Sequence, residues 1–278
     1  MKRTLAGSLM LTAGMLMTSA AQALVVTDVA DGQTLANNIL GSGISISNVS
    51  YQGSATSSGT FTGGLASGLG FDTGVLLTTG AAQNAVGPNN ETGKSTNFGG
   101  AGDSDLTALS GYSTNDATVL SFDFEFDGGL GGDLFFNIVF ASEEYNEFVG
   151  TQFNDVFGLF VDGNNVAKLP NGDPLSINTV NNNVNSDSYI DNETGSYDIQ
   201  YDGFTKSIGI KVLGLSAGLH SMKFAIADGS DFILDSGIFI QASSFSDTPV
   251  GVPEPGPLLL LSIGLLGLGA ARQRLNRQ

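Results

Sequence analysis

A chain of 278 residues with 27 acidic and 10 basic side chains has a formal charge of −17; it carries 39 glycines, a single histidine (His220), no cysteine and no tryptophan. Those counts exclude a disulfide framework, a cysteine-based zinc site and a thiol nucleophile. So acidic a chain does not seek phosphate backbones, which removes nucleic acid as a partner, and the length fits one large domain or two small ones.

In chain order, residues 1–23 read as a secretory signal. Lys2 and Arg3 form the charged start, an apolar run follows from Leu9 to Met17, and Ala21-Gln22-Ala23 is the small-x-small pattern that signal peptidase requires. Cleavage is expected after Ala23. The body, residues 24–250, then holds five lysines against 26 acidic side chains, a net charge of −21. Such self-repulsion favours solubility and opposes the compact state unless cations screen or bind the chain.

The body reads as short strands and turns, without a long amphipathic helix or a repeat of 20–50 residues. Residues Ser121 to Asp127 alternate strictly, three phenylalanines on one face and three carboxylates (Asp123, Glu125, Asp127) on the other, which predicts a half-buried antiparallel strand with a plain solvent face. Leu134–Phe140 and Val156–Val161 are nearly continuous apolar runs of strand length, the second closed by Asp162-Gly163-Asn164-Asn165. Residues 178–192, with Asn181-Asn182-Asn183, read as a long polar loop, either mobile or ligand-binding. Ser207–Leu213 and His220–Ala227 flank a Ser-Ala-Gly turn as a hairpin would, and Ile238–Ile240 is a last strand. The fold class expected is all-β, an antiparallel β-sandwich of jelly-roll type.

Candidate chemistry centres on carboxylates. Glu143, Glu144 and Glu147 follow one buried strand, Asp155 lies at the next, and Asp231 and Asp235 precede the last. Carboxylates on loops and strand ends without a neighbouring Lys or Arg suit a hard cation, and Ca²⁺ accepts six to eight oxygens in irregular loops; the competing reading is a set of turn carboxylates that cap loop amides. The same groups could serve as a glycosidase pair, which needs two carboxyls roughly 5–9.5 Å apart. Two motif matches are rejected. Gly214-Leu215-Ser216-Ala217-Gly218 spells a hydrolase elbow but is followed by a strand instead of a helix, with the sole histidine two residues on. Gly87 to Ser95 has five residues between its glycines where a phosphate-binding loop has four. No catalytic residue is assigned.

The chain then passes Val252-Pro253-Glu254-Pro255 into an uncharged Leu- and Gly-rich stretch and ends on Arg272, Arg274 and Arg277. A helix over 257–271 spans about 22 Å, short of the roughly 30 Å hydrocarbon core, yet it has no polar face and stops at an arginine cluster. Residues 251–278 resemble the PEP-CTERM sorting signal: Pro253, Glu254 and Pro255 match its motif, 257–271 its transmembrane helix and the three arginines its basic end. The resemblance implies transient insertion in the inner membrane of a Gram-negative bacterium and processing near the motif by an exosortase, in organisms that make exopolysaccharide.

Within the body, Gly74-Val75-Leu76-Leu77-Thr78-Thr79-Gly80, Gly102-Asp103-Ser104-Asp105-Leu106, the block Phe140-Ala141-Ser142-Glu143-Glu144-Tyr145-Asn146-Glu147-Phe148-Val149 with Phe153-Asn154-Asp155-Val156-Phe157-Gly158, and Asp228-Gly229-Ser230-Asp231 with Leu234-Asp235-Ser236-Gly237 resemble the choice-of-anchor L domain over residues 60–245. That resemblance implies an exported, anchored β domain of the cell envelope, surface or extracellular matrix and no known reaction. The function expected is a non-catalytic structural, adhesive or glycan-binding module; the alternative is an extracellular carbohydrate-active hydrolase.

Overall fold

The computed structural model describes residues 23–251. The signal segment up to Gln22 and the sorting segment, with Pro253, Glu254, Pro255, Arg272, Arg274, Arg277 and the expected helix over 257–271, lie outside the described residues. Among those described, no helix is long and apolar enough to cross a membrane.

Among the described residues, fourteen strands and two α-helices follow one another: β1 (Val25–Asp28), α1 (Gly32–Ile39), β2 (Ile44–Gln52), β3 (Ser58–Thr62), β4 (Gly74–Thr78), α2 (Ser104–Ser110), β5 (Thr114–Phe126), β6 (Gly132–Ser142), β7 (Val156–Val161), β8 (Asn164–Asn165), β9 (Leu175–Ser176), β10 (Tyr189–Asp191), β11 (Gly203–Thr205), β12 (Ile208–Leu215), β13 (His220–Gly229) and β14 (Ser236–Gln241). The strands form two sheets, both antiparallel throughout. One runs β1-β3-β4-β14-β6-β11-β10, with β12 pairing the first half of β6 where β11 pairs its end; the other runs β2-β5-β13-β7-β8, with β9 also on β7.

Side-chain periodicity explains why the sheets pack face to face. Phe122, Phe124 and Phe126 of β5 point into the space between the sheets and meet Leu134, Phe136, Ile138 and Phe140 of β6, while Glu125 is exposed and Asp123 half-buried on the outer face. This is the alternation expected of a sheet with one wet face. Phe245 seats edge-on between the sheets, its ring 5.2 Å from that of Phe122 and 5.3 Å from that of Phe124. β6 reads as a continuous apolar run for a different reason. Its other face, Val139 and Ala141, is covered as well, by Phe61, Phe71, Ile199, Tyr201 and Phe204, and a strand buried on both sides has no polar alternation to display. A third, smaller core lets Leu106 of α2 cover Val119, Phe160 and Ala225 on the outer face of the second sheet.

Two short helices arise from local capping. Asp31 accepts from Thr34 N at 2.9 Å and Asp103 from Asp105 N and Leu106 N at 3.0 and 3.2 Å, satisfying amides that have no partner in the first turn. At 8 and 7 residues neither is long enough to imprint a helical period on the sequence.

One expectation is corrected. β12 and β13 are not a hairpin: β12 pairs β6 in one sheet and β13 pairs β5 and β7 in the other. The Ser-Ala-Gly segment is an arch that carries the chain across the sandwich, with Gly214 and Gly218 at φ +70° and +110° taking the reversal. Sequence spacing alone does not distinguish a turn within a sheet from a turn between sheets. The Asn-rich loop is anchored from within, with Asn182, Asn183 and Val184 exposed around one buried amide. Asn181 is fully buried; its Oδ1 accepts from Asn183 N and Val184 N at 2.8 Å each and its Nδ2 donates to Ile177 O at 2.8 Å. A buried amide of this kind supplies the backbone partners that a strand ladder would otherwise provide.

Candidate functional site

The connection between β6 and β7, residues 143–155, crosses the end of the sandwich where β13 finishes and β14 begins. It brings the six predicted carboxylates into one region but divides them between two settings.

The inner setting is structural. Asp155, fully buried just before β7, accepts from Gly229 N at 2.8 Å and from Ser236 Oγ at 2.6 Å, so one carboxylate ties the end of β13 to the start of β14. Asp235, 1% exposed, accepts from Thr96 N at 2.9 Å and Asn84 Nδ2 at 2.8 Å. Gly80 is required here, since a Cβ at that position would overlap the Asp235 carboxylate. Asp231 is half-buried and accepts from Ile233 N at 3.4 Å. Glu144 is buried with Oε2 unpartnered. Sequence reasoning left Asp228 out of this group, although it is buried on β13 with Oδ1 unpartnered. Burial first and neighbouring acids second lift these groups: Asp155 to about 7, with Asp231 and Asp235 adding repulsion; Glu144 to about 10, with Asp155, Asp231 and Glu147 nearby; Asp235 to about 6; and Asp228 well above its ordinary value.

The outer setting is a cavity of about 140 Å³ lined by Glu143, Glu147 and Asp202, with Thr92, Phe148 and Leu234 completing the wall. Glu143 is 2% exposed, and its Oε2 faces Gly93 N and Lys94 N at 3.3 and 3.4 Å. The segment that mimics a phosphate-binding loop therefore turns its amides toward a carboxylate of the protein itself. Glu143 Oε1 has no hydrogen-bond partner; the nearby Gln200 amide donates to Asn89 Oδ1 and Glu91 O at 3.2 and 2.8 Å and still pulls against the rise of the Glu143 pKa. Asp202, from the turn into β11, is buried and accepts from Asn89 Nδ2 at 2.7 Å. Glu147 is exposed at the rim. Burial and then the Asp202 charge raise Glu143 to about 8; burial and then Glu147, Glu193 and Asp191 raise Asp202 to about 6 against the bond from Asn89. Asp202 escaped the sequence reading because Tyr-Asp-Gly resembles any solvent turn. The side-chain ion pairs of the described residues are Lys94–Glu91, Lys223 with Asp103 and Asp105, and His220–Asp162, so no lysine compensates either carboxylate setting. Among the described residues, no three His, Asp or Glu side chains are grouped so as to hold a metal ion in this conformation.

Elsewhere, a cleft of about 390 Å³ is lined by Gln52, Ser57, Phe98, Asp116 and Thr118. His220 stands at the arch with Nδ1 2.7 Å from Asp162 Oδ2 and Nε2 3.0 Å from Ser216 O. It therefore meets the main chain of the false elbow and not the Ser216 hydroxyl. Burial opposes its charge, but the two acceptors prevail and hold its pKa above the usual value.

The family model of the choice-of-anchor L domain matches residues 25–246. No curated protein and no solved structure matches the chain.

Proposed function

The chain belongs to the choice-of-anchor L domain family, and from that premise we propose that it is an exported, non-catalytic module of the bacterial surface or exopolysaccharide matrix. The family points to a secreted cell-surface protein. In this reading the leader is removed after Ala23 by signal peptidase. The tail helix then holds the chain in the inner membrane of a Gram-negative cell until an exosortase acts at Pro253-Glu254-Pro255. The β-sandwich is delivered outside, where it serves as a structural or adhesive body.

The observation that carries the proposal is the family match over residues 25–246, lying between the two address-like ends. A second supports its non-catalytic part: Asp155 and Asp235 bond the amides and hydroxyls that join strands, so the best acids of the sequence act as internal brackets. A glycan-binding role has one specific feature in its favour, the 390 Å³ cleft in which the partly exposed Phe98 ring stands beside Gln52 and Asp116, since sugars stack on aromatic faces and bond to planar polar groups.

Mass spectrometry of the exported protein tests the processing. The expected species begins at Leu24 and lacks Arg272, Arg274 and Arg277, while a cytoplasmic chain that keeps residues 1–23 and 253–278 would overturn the reading. For the hydrolase alternative, Glu144→Gln assayed on the host's own polysaccharide is decisive: loss of turnover by a folded variant favours the enzyme, and absence of turnover in both forms favours the structural module.

A further inference from the structure

We propose that Glu143, Asp202 and Glu147 form a Ca²⁺ site in the 140 Å³ cavity beside the β6–β7 connection, closed when the exposed Glu147 swings onto the ion. The proposal relocates the calcium expected from the sequence. Of the six carboxylates then named, only Glu143 and Glu147 take part, and Asp202 joins them.

Three independent features converge here. There is a cavity large enough for an ion with its residual waters. Its wall holds a carboxyl oxygen, Glu143 Oε1, that is buried without a hydrogen-bond partner, and an unsatisfied buried polar atom costs more than a satisfied one. Finally, among the described residues no cation pairs with it, since Lys94, whose amide faces Glu143, turns its ammonium to Glu91 at 2.6 Å. The charges that face the cavity or its rim are all acidic: Glu143, Glu147 and Asp202, with Asp191 and Glu193 behind.

The donor set selects the ion. With no cysteine in the chain and its one histidine at the arch, the available ligands are hard oxygens. A loop-borne wall with one exposed acid at its rim tolerates the irregular six- to eight-oxygen shell of Ca²⁺ better than the rigid octahedron of Mg²⁺. The inner group is a poorer candidate, because both Asp155 oxygens are already bonded to Gly229 and Ser236. Export supplies millimolar calcium in the proposed role, but binding is measured on purified protein and stands or falls apart from localisation.

The test is thermal unfolding of the full chain, stripped with chelator and titrated with CaCl₂ at constant ionic strength, alongside calorimetry for stoichiometry. The expected result is one Ca²⁺ per chain, with half-saturation at roughly 10⁻⁴–10⁻³ M as for other extracellular modules. The melting temperature should rise with free calcium, as linkage requires of any ligand specific for the folded state. Glu143→Gln and Asp202→Asn should each weaken binding at least tenfold, while Glu144→Gln and the surface control Glu125→Gln keep it. Four results would overturn the proposal: no heat and no shift at 10 mM Ca²⁺; an equal shift with Mg²⁺, which reports screening of the −21 body; a shift unchanged in Glu143→Gln and Asp202→Asn; or one abolished only in Glu144→Gln, which places the ion in the inner group. If the substituted chains fail to fold, the wild-type stoichiometry and the calcium-to-magnesium comparison still decide.

Discussion

Asp123 and Glu125 on β5 and Glu143, Glu144 and Asp155 around the β6–β7 connection are the same two residue types in one acidic chain, and the fold treats them oppositely. The first pair occupies the outer face of a sheet: Asp123 takes a bond from Asn48 Nδ2 at 2.7 Å, and Glu125 stands exposed. The second set is 0–2% exposed, and burial is the leading cause of every shift in it. A carboxylate in this protein is therefore ordinary where the strand period puts it outside, and a stressed internal part where connections from several strands close over it.

The sharpest contrast lies within β5 itself. Phe124 is fully buried, with its ring 5.3 Å from that of Phe245 and 5.4 Å from that of His220. Phe124→Ala should cost about 3–5 kcal/mol from lost transfer energy and the cavity left behind, read as a lower midpoint in urea unfolding. A cost below 1 kcal/mol would mean that the alternation does not mark the core.

Next in size is Asp155→Ala. It removes two hydrogen bonds to a buried carboxyl group and leaves Gly229 N without its partner, while Ser236 Oγ keeps only Ser142 Oγ at 2.8 Å, for an expected loss of about 3 kcal/mol. Asp155→Asn keeps an acceptor for Gly229 and should lose less. If alanine is harmless, the bracket between β13 and β14 is not a structural joint, and the inner acids are free for another task.

These two positions also show how far the sequence could be read. The β5 face was legible because its burial follows a period of two, which any local window displays. The apolar runs of β6 and β7 were legible because strands covered on both faces read as unbroken apolar stretches of strand length, and the Asp162-Gly163 turn because its residues, at φ +49° and +77°, suit a two-residue connection. The arch at Gly214–Gly218 was read as a hairpin because its flanking strands look alike in either topology. The acids after β6 were legible as a cluster but not as two settings. What separates Glu143 from Glu144 is contact with Asp202, 59 positions later, against contact with Asp155 and Asp231, and no local pattern records such pairings.

A smaller, graded effect tests the buried set as a whole. Glu143 at about 8, Asp155 at about 7, and Asp202 and Asp235 at about 6 all lie above their unfolded values of 4.5 or 3.8. The folded chain thus keeps protons that the unfolded chain releases. The corresponding stability is fully present below about pH 4 and is lost as pH rises through 6 to 8. His220, held above 6.5, acts in the same direction, while the lowered Asp31 and Asp162 oppose it only below 3.8. In chelator, the urea midpoint should fall between pH 5 and pH 8, and Glu143→Gln should flatten the upper part of that fall. A midpoint that rises over this range would show that the internal acids are ionised and compensated.

The smallest effect completes the contrast. Glu125 pairs across the ladder with Ser45 and is exposed, so Glu125→Gln should change stability by less than about 0.5 kcal/mol at any pH, with a slight gain from easing the repulsion of a −21 body. The same substitution at Glu143 leaves the pH 5 midpoint almost unchanged and raises the one at pH 8.5, because only there does the native acid ionise against Asp202 in a closed wall. The informative quantity is the difference between the two variants as pH increases. A difference that grows above pH 7 and vanishes below pH 5 assigns the stress to burial at the connection. A difference independent of pH would mean that Glu143 is set apart by packing alone and that charge has no part in how this end of the sandwich is held.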